Sequence, residues 1–169
     1  AAGFFRSAGA RIEKQDLSWL ADLAQSNGRM VQADAAAFHR DRLAQHPDWF
    51  GEDVRQRLQA GAALSASDYA LARRTQAEGR RRFEQFFGKY DLLVLPTTPM
   101  AAPPIEGTAA IEAARQLTRF TGPFNLTGLP ALSVPGGSEG GLPFGIQLVA
   151  GPWREATVLQ AGRAWEMLE

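Results

Sequence analysis

An uninterrupted apolar run, Leu92–Leu95, ends at Pro96 and constrains the fold more than any other feature of the sequence. A strand with one solvated face alternates apolar and polar residues, whereas a continuous apolar run is typical of a strand buried on both faces. Helical patterns precede and follow this run. Because strands and helices that alternate in this way pack as layers, the sequence predicts an α/β fold with a parallel or mixed sheet covered by helices.

Periodicity and end signals predict the remaining elements. A short strand is expected over residues 10–17, where Ile12 alternates with charged neighbours. Ser18 and one of Ser65 and Ser67 are expected to cap the helices that follow them. Five helices are predicted, over residues 19–45, 51–60, from the Ser65 or Ser67 cap to residue 90, 109–120 and 155–168. The first of them is expected to break near Asn27-Gly28. Two further strands are predicted over residues 131–134 and 144–150.

Charge and composition narrow the function classes. The chain has 18 basic and 18 acidic residues, so no overall field favours nucleic acid or an anionic membrane surface. Cysteine is absent, which excludes disulfides and thiol chemistry and fits a cytoplasmic protein. His39 and His46 lack the i, i+4 spacing of a zinc-binding helix. No metal and no cofactor are therefore predicted.

The first ten residues predict the end of a helix. Phe4, Phe5 and Ala8 form an apolar helical turn, and Gly9 stands where a helix C-terminus favours glycine. From this pattern we expect the chain to be a piece of a longer one. The length of 169 residues suggests a single domain.

Ser138 lies in the glycine-rich stretch PGGSEGGLP, which raises the question of a nucleophile. A nucleophile elbow needs a strand before the serine and a helix after it, but here strands are predicted on both sides. The candidate bases in the chain are His39, His46, Lys14 and Lys89, and nothing in the sequence singles one out. We therefore interpret the stretch as a hairpin loop and assign no catalytic residue to this chain.

Three linked blocks, YDLLVLPTTPMAAPPI, TGPFNLTGLPALSVPGG and GLPFGIQLVAGPWREATVLQAGRAWE, resemble the C-terminal part of the amidase signature family. The resemblance runs from about Tyr90 to Glu166, is looser over residues 51–88, and is only general over residues 1–50. It implies a mixed β-sheet sandwiched between helical layers. It also implies that residues 1–169 are the C-terminal part of a single amidase signature domain whose catalytic N-terminal part is absent from this chain.

The same resemblance implies an activity. Members of the family hydrolyse a carboxamide to a carboxylic acid and ammonia or an amine with a Ser-Ser-Lys triad, and a glycine-rich loop holds the oxyanion. GGSEGG resembles the GGSSGG of the nucleophile loop, but Glu139 replaces the second serine and the stretch lies downstream of PFNLTGLP. The resemblance therefore places the catalytic residues outside this chain.

Five residues are predicted to bind substrate. Thr97 and Thr98 follow the buried strand, where ligands of open α/β sheets collect. Asn125 and Thr127 are the polar residues of PFNLTGLP, and we expect Asn125 to hydrogen-bond neighbouring loop backbone; a plain turn or capping residue is the alternative. Arg57 resembles an arginine that amidotransferase members use on a substrate carboxylate, and a solvated helix charge is the alternative.

The resemblance leaves alternatives open. Where the A subunit of glutamyl-tRNA amidotransferase has an acidic residue before the Pro-x-Asn block, this chain has Thr118, which favours a stand-alone amidase over an A subunit of a glutamyl/aspartyl-tRNA amidotransferase. A non-catalytic structural module of the same fold is the third alternative. The expected partners are a small-molecule amide substrate and the remaining N-terminal part of the same protein. Binding to nucleic acid or to a membrane is not expected, and formation of a homodimer is left as an alternative.

Overall fold

A computed structural model describes residues 1–104 and 110–167 and divides them into helices and a small sheet. The helices are α1 (Ala2–Ser7), α2 (Leu20–Gln45), α3 (Glu52–Ala62), α4 (Ala66–Phe87), α5 (Ala110–Leu117), α6 (Gly122–Thr127) and α7 (Glu155–Glu166), with a 3-10 turn over Pro47–Trp49. The strands are β1 (Leu93–Pro96), β2 (Ala131–Glu139) and β3 (Leu142–Val149). Ala109 and Leu168, which are predicted to be helix ends, lie outside the described residues.

The three strands are arranged in the order β1-β3-β2, with β3 antiparallel to both neighbours. Strands β2 and β3 form a hairpin whose turn, Gly140 and Gly141, has φ values of 58° and 80°. Positive φ at both turn positions is what a two-residue hairpin turn requires, and glycine adopts it without steric cost. The glycine-rich stretch is therefore a hairpin, as the sequence predicts, and the parallel pairs of a mixed sheet do not occur among the described strands.

Helices cover both faces of this sheet, which confirms the α/β layered fold. Helices α1 and α7 pack on one face through a cluster that contains Phe5, Val134, Ile146, Leu148, Ala150 and Val158. On the other face, α2, α4 and α6 build the larger cluster of Leu20, Leu23, Met30, Ala72, Phe83, Leu93, Phe124, Leu126, Leu129 and Val149. Strand β1 contributes to both sides, since Leu93 belongs to the larger cluster and Val94 packs against the smaller one.

Three local predictions are wrong, and one short helix was missed. Residues 10–17 form no strand, because no strand pairs with them among the described residues. Helix α2 continues through Asn27-Gly28, since one interior glycine costs only about 1 kcal/mol and the helix packs on α3, α4 and α6. The N-cap of α2 is Trp19 rather than Ser18, whose hydroxyl donates instead to Asp16 at 3.1 Å. Helix α6 was not predicted.

Ser65, rather than Ser67, caps α4 in a reciprocal arrangement with Asp68. The Ser65 hydroxyl accepts the Asp68 backbone N–H at 3.0 Å, and the Asp68 carboxylate accepts the Ser65 N–H at 3.3 Å. Ser65→Ala is expected to lower the free energy of unfolding by about 1 kcal/mol in urea denaturation. Ser67→Ala is the matched control and should change it by less than about 0.5 kcal/mol. Equal losses for the two variants would show that the cap is not the stabilising feature.

Candidate functional site

A cavity of about 640 Å³ opens between α2, α3 and the α5–α6 region. Arg57 on α3 and Asn125 on α6, two of the predicted substrate-binding residues, both line it, and so does Thr118. We call it the arginine cavity because four arginines line it: Arg29, Arg57, Arg115 and Arg119. Sequence reasoning missed three of these four, although the run QLTRFTGPFN places Arg119 three residues before the start of α6.

Helix α6 is short, and its two ends explain why it forms where it does. Pro123 stands in its first turn, where the missing N–H costs no hydrogen bond, and Gly128 follows it with φ at 75°. Phe124 and Leu126 are buried while Asn125 is exposed. The core therefore holds the apolar side of α6 and leaves Asn125 at the cavity.

The charges of the arginine cavity are unbalanced. Arg115 lies 3.6 Å from Glu112, so these two charges partly offset each other. Arg29, Arg57 and Arg119 form no salt bridge with any residue that the structure describes. Guanidinium groups are planar donors that match a carboxylate in a bidentate pair. The cavity thus has the chemistry to hold an anionic group.

Thr97 and Thr98 lie apart from the arginine cavity, at the end of β1. The Thr97 hydroxyl is 2.6 Å from that of Ser133, and Thr98 donates to the carbonyl of Met100 at 2.9 Å. Gly145 makes this approach possible, because a Cβ there would lie 2.6 Å from the Ser133 oxygen and 2.7 Å from the Thr97 oxygen. The predicted substrate-binding residues therefore divide into two groups.

The buried side chain of Gln147 lies between the Thr97–Ser133 hydroxyl pair and the segment before α6. It is paired with Ser133 in the hairpin register and donates from Nε2 to the carbonyl of Phe120 at 3.0 Å, just before α6. The hydroxyl pair of Thr97 and Ser133 and the segment that carries Arg119 consequently lie on the same side of the sheet.

Two of the predicted site residues, Asn125 and Thr127, lie on α6. The Asn125 side chain makes no hydrogen bond among the residues that the structure describes. Thr127 is buried and donates its hydroxyl to the carbonyl of Pro123 at 2.7 Å, so it lies inside the core and does not line the arginine cavity. The α6 end is held instead by Gln76, which donates to the carbonyl of Leu126 at 2.6 Å, and by Arg80, which donates to that of Thr127 at 3.2 Å.

Ser138 is exposed on the hairpin, opposite Pro143 in the register. Within residues 1–104 and 110–167, no lysine amine hydrogen-bonds its hydroxyl. The same part of the chain contains no group of three side chains arranged to bind a metal ion, and none of its helices is both long and apolar enough to cross a bilayer.

A family model described as Amidase matches residues 12–159. The A subunit of glutamyl-tRNA(Gln) amidotransferase from Moorella thermoacetica is 45% identical over 125 residues, which is 69% of this chain and 25% of that protein. A fatty acid amide hydrolase of Medicago truncatula is 39% identical over 123 residues, which is 69% of this chain and 20% of that protein. The chain thus spans at most about a quarter of these two curated relatives.

Solved structures agree with the sequence relatives. A crystal structure of an amidase superposes with a TM-score of 0.86 at 29% identity and covers 98% of this chain and 39% of that one. Allophanate hydrolase of Kluyveromyces lactis superposes with a TM-score of 0.83 at 26% identity, over 96% of this chain and 27% of that one.

Proposed function

This chain belongs to the amidase family, and on that premise we propose that the protein containing it hydrolyses a carboxamide to a carboxylic acid and ammonia or an amine. In this proposal residues 1–169 are the C-terminal part of one amidase signature domain and supply a wall of the substrate pocket. The observation that carries the proposal is the arginine cavity, which Arg57 and Asn125 both line although they come from different helices.

The bond-breaking groups of this proposal lie outside the chain. A serine oxygen attacks the amide carbonyl carbon, and its proton passes through a bridging serine to a lysine. The C–N bond breaks as the leaving nitrogen takes that proton, and water then hydrolyses the acyl ester to the acid. The isolated 169-residue chain is therefore proposed to be inactive.

The charges that line the arginine cavity indicate which chemical class of amide the protein would bind. Three guanidinium groups without a salt bridge among the described residues favour an amide that also carries a negative charge, most simply a carboxylate. Arg57 would bind that carboxylate, and the exposed amide of Asn125 would orient the substrate from the opposite wall. Such contacts act before the bond breaks and therefore affect binding more than turnover.

Arg57→Ala tests this role in a protein that contains the complete domain. For small amides that bear a carboxylate, KM should rise by about 10- to 100-fold while kcat changes little, because a charge-assisted hydrogen bond to the bound substrate is lost. Arg57→Lys should recover part of the loss, since it keeps the charge but not the bidentate geometry. Steady-state release of ammonia measures both constants.

Neutral amides and a second arginine provide the controls. Arg57→Ala should leave the KM of neutral amides unchanged. Arg40→Ala removes another exposed arginine, on α2 and paired with Asp41, that does not line the arginine cavity, and it should leave both substrate classes unchanged. An equal rise in KM for charged and neutral amides would contradict carboxylate binding by Arg57.

A second candidate is the A subunit of a tRNA-dependent amidotransferase. The 45% identity to the Moorella thermoacetica protein favours it, and the departure at Thr118 favours a stand-alone amidase instead. In the second case the protein would co-purify with partner subunits and convert a charged tRNA in the presence of ammonia. Turnover of small amides without partners would support the first candidate. We propose a cytoplasmic location in both cases.

A further inference from the structure

Helix α7 has one side buried on the sheet and a row of exposed side chains away from it. Val158 and Gly162 are buried where α7 packs on β2. Glu155, Leu159 and Arg163 are exposed. Residues four apart are neighbours on a helix surface, so these three form one row in the order acid, apolar, base. We call it the α7 row.

A tryptophan stands at the N-terminal end of the α7 row in a conformation that favours glycine. Trp153 has φ at 62° and is 91% exposed, more than any other large apolar side chain that the structure describes. The Arg154 N–H closes its turn by donating to the carbonyl of Gly151 at 3.1 Å, with Pro152 and Trp153 between them. Proline followed by a residue with positive φ is the pattern of a type II turn, whose third residue is normally glycine.

The fold of the chain explains neither the conformation nor the exposure of Trp153. A bulky side chain at positive φ is strained, and a ring that is almost fully exposed gains little from burial. Strained residues of this kind cluster at functional and binding sites. Tryptophan is also among the residues most enriched at the points that dominate the binding energy of interfaces. Trp153 therefore has the properties of a contact residue for a partner.

The order of charges in the α7 row indicates which partner fits. Glu155 and Arg163 form no salt bridge with any residue that the structure describes. If a second α7 lies antiparallel with its Leu159 opposite Leu159, then Glu155 of each copy comes opposite Arg163 of the other. A two-fold axis produces this pair twice, because each residue contact in such an interface also occurs in reverse. The row is thus complementary in charge to a second copy of itself.

The same register brings apolar groups together at both ends of the contact. The row continues four residues beyond Arg163 to Met167, which is exposed. Met167 of one copy then comes opposite the turn that carries Trp153 in the other. A thioether beside an aromatic ring is a favourable contact, and it would bury part of both side chains.

We propose that the α7 row and Trp153 form a two-fold interface between two copies of the protein that contains this chain. The proposal goes beyond amide hydrolysis and does not depend on it. Each copy contributes one short helix and one turn, which places the interface at the small end of those that proteins use. We therefore expect weak association, with a Kd of about 10–100 µM.

Sedimentation velocity of the complete protein over about 1–500 µM, a range that brackets this Kd, tests the proposal. The average mass should rise with concentration to twice its lowest value. Leu159→Asp should raise the Kd about tenfold or more, because two carboxylates would meet at the axis. Leu71→Asp on α4 is the matched control, since Leu71 is 57% exposed and Leu159 62%, and it should leave the Kd unchanged. A constant mass over the whole range, or equal effects of the two variants, would overturn the proposal.

Two charge reversals test the antiparallel register. Glu155→Arg brings two arginines together at each pair, and Arg163→Glu brings two glutamates together, so each variant alone should associate about tenfold or more weakly. In an equimolar mixture one copy is positive at both positions and the other is negative at both, so both pairs attract again. The mixture should associate about as tightly as the unaltered protein. A mixture that associates no more tightly than the single variants would contradict the register, and a variant that fails to fold cannot restore association.

Trp153→Gly separates binding from stability. Loss of the ring should raise the Kd about tenfold or more, as expected for an anchoring aromatic. The thermal unfolding midpoint, measured at about 1 µM where single copies dominate, should not fall, because glycine adopts positive φ without strain. A lower midpoint with an unchanged Kd would assign Trp153 to folding and contradict its place in the interface.

Discussion

Phe83→Ala is expected to lower the free energy of unfolding by about 3–5 kcal/mol, a cost typical of a large aromatic removed from a core. Phe83 is 1% exposed and lies at the centre of the larger core cluster, with ring centroids 4.7 Å from Trp19 and 5.6 Å from Phe124. It joins α4 to α6 and to the start of α2. The loss should therefore loosen α6 and with it the position of Asn125.

Phe38→Ala is the matched control for this substitution. Phe38 is 74% exposed on α2, so its removal should change the free energy of unfolding by less than about 0.5 kcal/mol. Denaturant unfolding of both variants, followed by circular dichroism, gives the two values. A loss below about 1 kcal/mol for Phe83→Ala would mean that the larger core cluster does not hold the helices together.

Gly61→Ala is expected to destabilise the chain by about 2 kcal/mol or more, although alanine is the better helix former. Gly61 lies in α3 and packs directly against Gln32 and Ala36 of α2. A Cβ at this position would overlap the carbonyl oxygen of Gln32 and lie 2.6 Å from its carbonyl carbon. Because both atoms are backbone, the helices must separate, and α3 would carry Arg57 away from the rest of the arginine cavity.

Gly28→Ala distinguishes this steric effect from helix propensity. A Cβ at Gly28 would meet no atom within 4 Å, so the substitution should stabilise α2 by up to about 1 kcal/mol. Thermal unfolding of the two variants should shift the midpoint in opposite directions. Stabilisation by both substitutions would contradict the close contact between α2 and α3.

The elements that the sequence predicted well are those with strong local signals. The α4 helix has a capping serine and a long periodic pattern, and the β2–β3 hairpin has glycines where its turn needs positive φ. Helix α6 was missed because six residues carry too little periodicity, and contacts from Gln76 and Arg80 on a distant helix hold its end.

The failed strand prediction has a different cause. Residues 10–17 have the alternation of a strand, but a strand is defined by its partner, and none of the described residues supplies one.

The composition of the candidate site was only partly predictable. Arg57 was identified by resemblance, but its proximity to Asn125, Arg29 and Arg119 depends on the packing of α2, α3 and α6, which no local pattern encodes. Thr97 is also predicted to bind substrate, and the structure places its hydroxyl 2.6 Å from that of Ser133, apart from the arginine cavity. A single sequence does not specify which strand end faces which helix.

The central claim is that this chain shapes a substrate pocket while the bond-breaking groups lie elsewhere in the domain. Release of ammonia from carboxylate-bearing amides, measured side by side for the 169-residue chain and for the complete protein, tests it most directly. The account predicts turnover by the complete protein and none above the uncatalysed rate by the chain alone. Turnover by the chain alone would contradict it.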